Sequence, residues 1–201
     1  MYHLPLEVKR HIFGYCTIQD LAILAQASTE LNGLARDYLQ HQLHLLSLPF
    51  FDNTATLMSI LRSCDAVVSG SCALHMLLPA NKTSWVPADL DIYVSCRHMA
   101  CLSVLLEHNG YLIMNQRAVD AGPYGSSSIR SVILFANGWR TIDVIVSSTV
   151  AAMSPIFEFH STAVMNFIAA DHIFCAYPNE GMSFSVYEVV TEVEKNGVEN
   201  L

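Results

Sequence analysis

Apolar residues in the first forty-odd positions recur at the spacing of amphipathic helices. They lie three or four positions apart over residues 5–12, and Thr17-Ile18-Gln19-Asp20 has the arrangement of a capping box at a helix start. Ser28 is suited to open a third helix, in which leucines form an apolar stripe. The pattern therefore predicts three helices within residues 1–45.

The pattern changes to alternating strands and helices from about residue 54. Asp89-Leu90-Asp91-Ile92-Tyr93-Val94 alternates polar and apolar residues, as a half-buried strand does, and Ala136-Asn137-Gly138 fits a hairpin turn. The further predicted elements are helices over 54–61, 72–78, 99–108 and 161–170, and strands over 66–69, 131–135 and 141–147. We expect an α+β fold with a mixed β-sheet flanked by helices, a loop over 81–88 and an acidic C-terminal tail.

The composition is apolar enough to require a test for membrane insertion. Hydrophobic residues make up 52% of the 201 positions, and the mean hydropathy is +0.35. The longest uncharged stretches, 66–81, 38–51 and 144–157, are shorter than the roughly 18 residues of a spanning helix and contain Gly or Pro. Residues 1–5 lack the basic and apolar regions of a secretory signal. We therefore expect an intracellular protein, cytoplasmic or nuclear, that does not enter a membrane.

The charge balance argues against bulk nucleic-acid binding. Ten Lys and Arg against 18 Asp and Glu give a formal net charge of −8, and the basic residues are scattered along the chain. A protein that neutralises many phosphates needs a clustered basic surface. We therefore expect no bulk nucleic-acid partner.

The six cysteines form no Cys-x-x-Cys pair, so in a reducing compartment they indicate small buried apolar residues. Cys96, His98 and Cys101 could donate two thiolates and an imidazole to zinc, although a fourth ligand at the usual spacing is missing. The same segment also fits the start of an apolar helix. His41 and His44, three positions apart on a predicted helix, are explained by exposed polar positions.

The N-terminal helices resemble an F-box, the helical module that docks on the Skp-type adaptor of cullin ubiquitin ligases. The resemblance covers about residues 1–45 and predicts such an adaptor as a partner of that segment. An ordinary helical hairpin that packs on the next domain remains the alternative. The residues that carry the resemblance are Leu4-Pro5-Leu6-Glu7, Ile12-Phe13, Asp20-Leu21, Leu24, Ser28, Leu31, Leu34 and Tyr38-Leu39.

Carboxylates in two predicted strands are the main candidates for chemistry. Asp89 and Asp91 lie two positions apart, so they project from the same face of their strand. Asp143 interrupts an otherwise aliphatic strand, where an unpaired charge is costly unless the strand is exposed or a cation is near. If the two strands are neighbours, three carboxylates converge. Clustered oxygen ligands of this kind favour Mg²⁺ or Mn²⁺, and we expect a site for two such ions.

Gly70 and Ser71 lie between a predicted strand and a predicted helix. Backbone N–H groups at a helix start, together with the Ser71 hydroxyl, can hold a phosphate, and glycine lets the backbone approach it closely. A strand-Gly-Ser-helix turn is weak evidence by itself. It becomes informative beside the carboxylates.

Taken together, these segments resemble the polymerase-beta-like nucleotidyltransferase fold over about residues 54–150. The resemblance rests on Val68-Ser69-Gly70-Ser71, Asp89-Leu90-Asp91-Ile92-Tyr93-Val94 and Thr141-Ile142-Asp143-Val144-Ile145. It implies that the sheet is a nucleotidyltransferase-like palm. It also implies that Asp89, Asp91 and Asp143 are catalytic metal ligands, Asp143 also acting as a base, and that Gly70 and Ser71 contact the triphosphate. An α/β domain whose acidic strand merely ends at the surface is the alternative.

The chain departs from the family pattern in ways that concern activity. The segment between Ser71 and Asp89 is long, Ala88 stands where a Ser often precedes the first Asp, and no Lys or Arg lies near the Gly-Ser turn in sequence. The cations that could reach the site through the fold are Arg140, Arg130 and Lys82. Only 201 − 143 = 58 residues follow the third Asp, which suggests a minimal or degenerate domain.

The sequence therefore predicts an F-box-like module over residues 1–50 and a nucleotidyltransferase-like domain over residues 51–201. Two functions follow. The first is magnesium-dependent transfer of a nucleoside monophosphate from a nucleoside triphosphate to an acceptor hydroxyl. The second is a non-catalytic adaptor whose nucleotidyltransferase-like domain binds a target for ubiquitin ligation.

Overall fold

The computed structural model describes residues 4–119 and 127–176, together with the backbone of residues 185–188. The described helices are α1 (Leu6–Phe13), α2 (Ile18–Ala27), α3 (Thr29–Ser47), α4 (Thr54–Cys64), α5 (Gly70–Leu77) and α6 (Met99–His108). The described strands are β1 (Val67–Ser69), β2 (Asp89–Ser95), β3 (Leu112–Ala118), β4 (Ile129–Ala136), β5 (Thr141–Ser147), β6 (Asn166–Ile168), β7 (His172–Cys175) and β8 (Ser185–Glu188). Short 3₁₀ helices cover Ala80–Lys82, Ser154–Glu158 and Thr162–Val164.

The described strands form one mixed sheet of eight strands in the order β3-β4-β5-β2-β1-β6-β7-β8. β2 and β5 run parallel at its centre, and every other described pair is antiparallel. The chain is therefore α+β, as its pattern predicted. The parallel pair brings together the two strands that carry the candidate carboxylates.

Local capping signals at the N-terminal helices are confirmed. The Asp20 backbone N–H donates to the Thr17 hydroxyl at 3.2 Å, and the Asp20 carboxylate accepts the Thr17 backbone N–H at 2.8 Å. The Ser28 hydroxyl accepts the Leu31 backbone N–H at 3.2 Å at the start of α3. These side chains satisfy backbone donors that a helix start otherwise leaves unpaired, which fixes where α2 and α3 begin.

The helices contribute to a core on one face of the sheet. Phe13 of α1, Leu43 of α3 and Leu57 of α4 belong to the same buried cluster as Leu90 of β2 and Ile142 of β5. The boundary near residue 50 falls between α3 and α4, and apolar side chains on both sides of it share this core. No helix among the described residues is long and apolar enough to cross a membrane.

A second, smaller core lies on the other face of the sheet. It consists of Val67, Tyr93, Ile145, Ile156 and Phe167, and it includes the 3₁₀ helix that follows β5. Because strand residues alternate between faces, Asp91 projects from the same face as Tyr93, and Asp143 from the same face as Ile145. The candidate carboxylates therefore lie beside this second core and opposite the helical layer.

The predicted helix over 161–170 is wrong. The segment forms a 3₁₀ turn followed by β6, which pairs with β1 and β7. Phe167 packs in the second core and Ile168 in the helical-side core, an alternation that requires a strand. Tertiary pairing at the open edge of β1 overrides the local preference of the segment.

The sequence pattern also missed β3. All seven of its residues are exposed because it forms an edge of the sheet, so neither face carries the apolar alternation that marks a strand. Residues 177–184 and 189–201, which include the predicted acidic tail, lie outside the described residues.

Candidate active site

The strand register brings the three predicted carboxylates together. Asp91 of β2 lies directly opposite Asp143 of β5, and neighbouring strands are about 4.8 Å apart. Asp89 lies two residues before Asp91 on the same face, opposite Thr141. All three carboxyl groups belong to partly buried residues. The convergence expected from the sequence therefore depends on the β2–β5 pairing, which the structure contains.

The Gly70-Ser71 turn lies on the other side of Asp91. Ser69 of β1 pairs with Asp91, and α5 begins at the next residue. Gly70 has φ +65°, and a Cβ there would lie 2.8 Å from Asp91 Cγ and closer still to Oδ2. The position requires glycine for both reasons, because L side chains disfavour this conformation and no space is left for one.

The Asp91 carboxylate accepts a hydrogen bond from the Ser71 backbone N–H. It thus occupies the N-terminus of α5, where unpaired N–H groups and the helix dipole favour a negative charge. The Ser71 hydroxyl is buried and has no hydrogen-bond partner among the described residues. The turn that was predicted to hold phosphate therefore holds a carboxylate of the protein, beside an unsatisfied hydroxyl.

The pKa values of Asp91 and Asp143 are raised by burial and by the neighbouring carboxylates. Burial, with the Asp89 and Asp143 carboxylates, raises the pKa of Asp91 to about 6, although the Ser71 N–H acts in the opposite direction. Burial and Asp89 also raise the pKa of Asp143. The side chains form a low-dielectric acidic cluster in which ionisation is costly.

Two buried contacts hold this end of the sheet in place. The Cys72 thiol donates to the Asp89 backbone carbonyl at 3.2 Å, which ties α5 to β2. The Ser69 hydroxyl donates to the Asn166 carbonyl at 2.5 Å, which ties β1 to β6. Burial, with Asp91 and Asp89 nearby, raises the pKa of Cys72 to about 12, so this thiol stays protonated and serves as a donor.

Comparisons of this chain with protein-family models, with curated proteins and with solved structures found no match.

The donor set of the site fits a hard divalent cation. Three carboxylates supply oxygen ligands of the kind that Mg²⁺ and Mn²⁺ prefer, and a cation would neutralise the charge that raises the pKa of Asp91. The side chains as they lie are not in a metal-binding arrangement: the described residues contain no group of three or more His, Cys, Asp or Glu positioned to hold a metal ion. Asp91 instead faces the Ser71 N–H.

The cations considered from the sequence do not pair with the carboxylates. Within the described part of the chain, Asp89, Asp91 and Asp143 form no ion pair. The Arg140 guanidinium lies 5.8 Å from the centroid of the Phe50 ring. Arg130 and Lys82 are exposed. Arg140 nevertheless lies close enough to the turn to oppose the rise in the pKa of Cys72.

The alternative zinc ligands do not assemble among the described residues. Cys96, His98 and Cys101 belong to no group arranged for a metal ion. The Cys101 thiol instead forms a hydrogen bond with the buried Cys64 thiol. His44 is exposed, as the sequence predicts, and its Nδ1 lies 3.1 Å from the Thr54 hydroxyl, which links α3 to α4.

Sequence reasoning missed two side chains at the site. Ser69 lies directly opposite Asp91, and Tyr93 follows Asp91 on the same strand face. Burial, together with Asp91 and Asp143, raises the pKa of Tyr93, so its hydroxyl stays protonated beside the acidic cluster. The two-residue spacing from Asp91 was the signal that could have identified Tyr93.

Proposed function

We propose that this chain is a magnesium-dependent nucleotidyltransferase, which transfers a nucleoside monophosphate from a nucleoside triphosphate to an acceptor hydroxyl. The observation that supports it is the pairing of Asp91 with Asp143 across the parallel strands, with Asp89 on the same face and the Gly70-Ser71 turn adjacent. The resemblance of these segments to polymerase-beta-like nucleotidyltransferases is the second support.

In this proposal Asp89, Asp91 and Asp143 hold one or two Mg²⁺ or Mn²⁺ ions. The metal supplies charge neutralisation at the reacting phosphate and activation of the acceptor hydroxyl. Asp143, whose pKa is raised by burial and Asp89, accepts the proton that the acceptor hydroxyl loses. The N–H groups and hydroxyl at Gly70 and Ser71 bind phosphate oxygens of the triphosphate.

The contact between Asp91 and Ser71 links the two halves of the site. While the carboxylate accepts the Ser71 N–H, the turn cannot receive a phosphate, because both anions compete for the same donor. Displacing Asp91 from the turn frees that N–H and exposes the buried Ser71 hydroxyl, which then gains an acceptor. Nucleotide binding and movement of Asp91 toward the other carboxylates therefore depend on each other.

The direct test is transfer of label from α-labelled nucleoside triphosphates to cell extract in magnesium or manganese. We expect wild type to transfer label and the Asp89→Asn, Asp91→Asn double variant to lose transfer. A matched double variant with two exposed carboxylates neutralised, Asp37→Asn with Asp52→Asn, should retain it. Absence of transfer by folded wild-type protein in several extracts contradicts the proposal.

A second candidate is the non-catalytic F-box-type adaptor, and two observations favour it. The Asp91 carboxylate already occupies the phosphate position on the turn. In addition, α2 and α3 enclose a groove of about 600 Å³, with a mixed lining that includes Leu21, Ala22, Ala35 and Arg36. Such a groove on the segment that resembles an F-box suits a helical partner.

Binding of the full chain to a purified Skp-type adaptor tests this candidate. Ala22→Arg in the groove should abolish binding, whereas Val104→Arg on the exposed face of α6 should not. Adaptor binding without label transfer favours the adaptor function, and label transfer without adaptor binding favours the enzyme.

A further inference from the structure

A polar pocket of about 340 Å³ lies where the N-terminal helices meet α5, outside the carboxylate site. Residues of α1, α3 and α5 and of the segment after α5 form its walls. The Ala80 backbone N–H donates to the Gly14 carbonyl at 2.7 Å, which joins the end of α1 to that segment. The polar and charged residues that line the pocket are Glu7, Arg10, His11, Tyr15, Tyr38, His41, Gln42, His75 and Thr83.

Arg10 carries a positive charge at this pocket and is not paired with a carboxylate of the described residues. It forms no ion pair within the described residues, and its Nε atom is buried with no hydrogen-bond partner there. A buried donor left unpaired costs about 1–3 kcal/mol, and such a group in a folded protein calls for a specific explanation. Glu7 is the one carboxylate in the pocket lining, and it is exposed.

Three histidines line the pocket together with Arg10. His11 lines the pocket from α1, His41 from α3 and His75 from α5. Burial and the Arg10 charge lower the pKa of His41, and the nearby His44 adds to this effect. The arrangement opposes protonation of His41 in the free protein, so an anion in the pocket would stabilise both groups. This concentration of basic groups is unusual in a chain whose net charge is −8.

The geometry points to an anion-binding pocket, centred on Arg10 with His41 and His75, that takes a phosphate group, either free or as a monoester. A guanidinium beside imidazoles presents several N–H donors to one tetrahedral anion. Arg10 supplies the positive charge, and a neutral imidazole still donates one ring N–H to the anion. The pocket shares no lining residue with the proposed metal site, and the inference does not rest on the proposed activity.

The test is an NMR titration of the full chain, with the histidine rings labelled, in EDTA at about pH 6.5, the unperturbed histidine value. The probes are inorganic phosphate and adenosine monophosphate, and the titrations contain no divalent metal. We expect saturable shifts of the His41 and His75 ring signals, with the exposed His108 and His160 signals unmoved. The His41→Gln variant assigns its own signal.

Arg10→Gln should weaken phosphate binding at least tenfold, whereas Arg36→Gln, on the same helical module but lining the α2–α3 groove, should leave it unchanged. Glu7→Gln should strengthen binding, because it removes the negative charge at the pocket. Tighter binding of adenosine monophosphate identifies a phosphate monoester as the ligand, and equal binding identifies free phosphate.

The proposal is overturned by an absence of saturable shifts with both probes, by equal shifts of all histidine signals, or by binding that Arg10→Gln does not weaken. If Arg10→Gln fails to fold, His41→Gln is tested in its place. Unchanged phosphate binding by His41→Gln would also overturn the proposal.

Discussion

Replacing Asp91 with Asn should stabilise the metal-free protein at neutral pH. Its carboxyl group has a pKa of 3.8 in the unfolded chain and about 6 in the folded protein. The folded state therefore binds the proton more tightly, and this group's contribution to stability is lost as the pH rises from about 4 to about 6. Asn is neutral and keeps an amide oxygen that can accept the Ser71 N–H.

The size of the effect follows from the two pKa values. A difference of this size corresponds to about 3 kcal/mol once both states are ionised, and partial exposure of the carboxylate reduces it to about 2 kcal/mol. We expect the free energy of unfolding of Asp91→Asn to exceed that of wild type by this amount at pH 7.5. At pH 4, where wild-type Asp91 is protonated when folded, the difference should fall below about 1 kcal/mol.

Urea denaturation followed by circular dichroism, in EDTA at both pH values, measures this difference. Asp37→Asn, which neutralises an exposed carboxylate on α3, is the matched control and should change stability by less than about 0.5 kcal/mol. The reasoning is refuted if Asp91→Asn is less stable than wild type at pH 7.5. It is equally refuted if the gain in stability is the same at both pH values.

Three further predictions concern the metal, the turn and the core. Millimolar magnesium or manganese should raise the Tm of wild type and not of Asp91→Asn, and an unchanged wild-type Tm would contradict the metal site. Gly70→Ala should cost at least about 2 kcal/mol in urea denaturation, because its Cβ meets Asp91; Gly138→Ala, with φ +86° and open space, should cost only about 1 kcal/mol. Leu57→Ala, fully buried, should cost about 2–5 kcal/mol in the same assay, against less than about 0.5 kcal/mol for the exposed Val104→Ala.

Elements with strong local signals could be predicted from the sequence. The capping residues Thr17 and Ser28 fix helix starts through contacts with residues only three positions away. The alternation around Asp91 identifies β2. Such signals say nothing about which strands become neighbours. The pairing of Asp91 with Asp143 had to be assumed, because the two strands are separated by the whole of α6, β3 and β4.

Elements whose structure depends on a partner strand could not be predicted. β6 is a strand because β1 and β7 provide backbone hydrogen-bonding groups on either side of it. Phe167 and Ile168 are both apolar, and their alternation between the two faces is visible only once the sheet is formed. β3 carries no alternation because both of its faces are exposed. Local propensity is a weak guide at both positions, since pairing supplies the stabilisation.

The polar pocket was equally hidden in the sequence. Arg10, His41 and His75 lie far apart along the chain and belong to three different helices. Each is unremarkable in its own segment, and His41 is explained there by an exposed position on a helix. Arg10 and these histidines come together only when α1, α3 and α5 pack against one another.

The cost of ionising Asp91 bears on the choice between the two functions. A charge that lowers stability by about 2 kcal/mol is typical of sites where function opposes stability. If the chain is a nucleotidyltransferase, Asp91→Asn gains stability and loses label transfer, because the buried charge beside Asp89 and Asp143 that destabilises the fold also attracts the metal. If the chain is an adaptor, Asp91→Asn gains the same stability and keeps its binding to the Skp-type adaptor. Measuring stability and function on this single variant therefore distinguishes the enzyme from the adaptor. Both hypotheses predict the same gain in stability, and they differ only in which function is lost or kept.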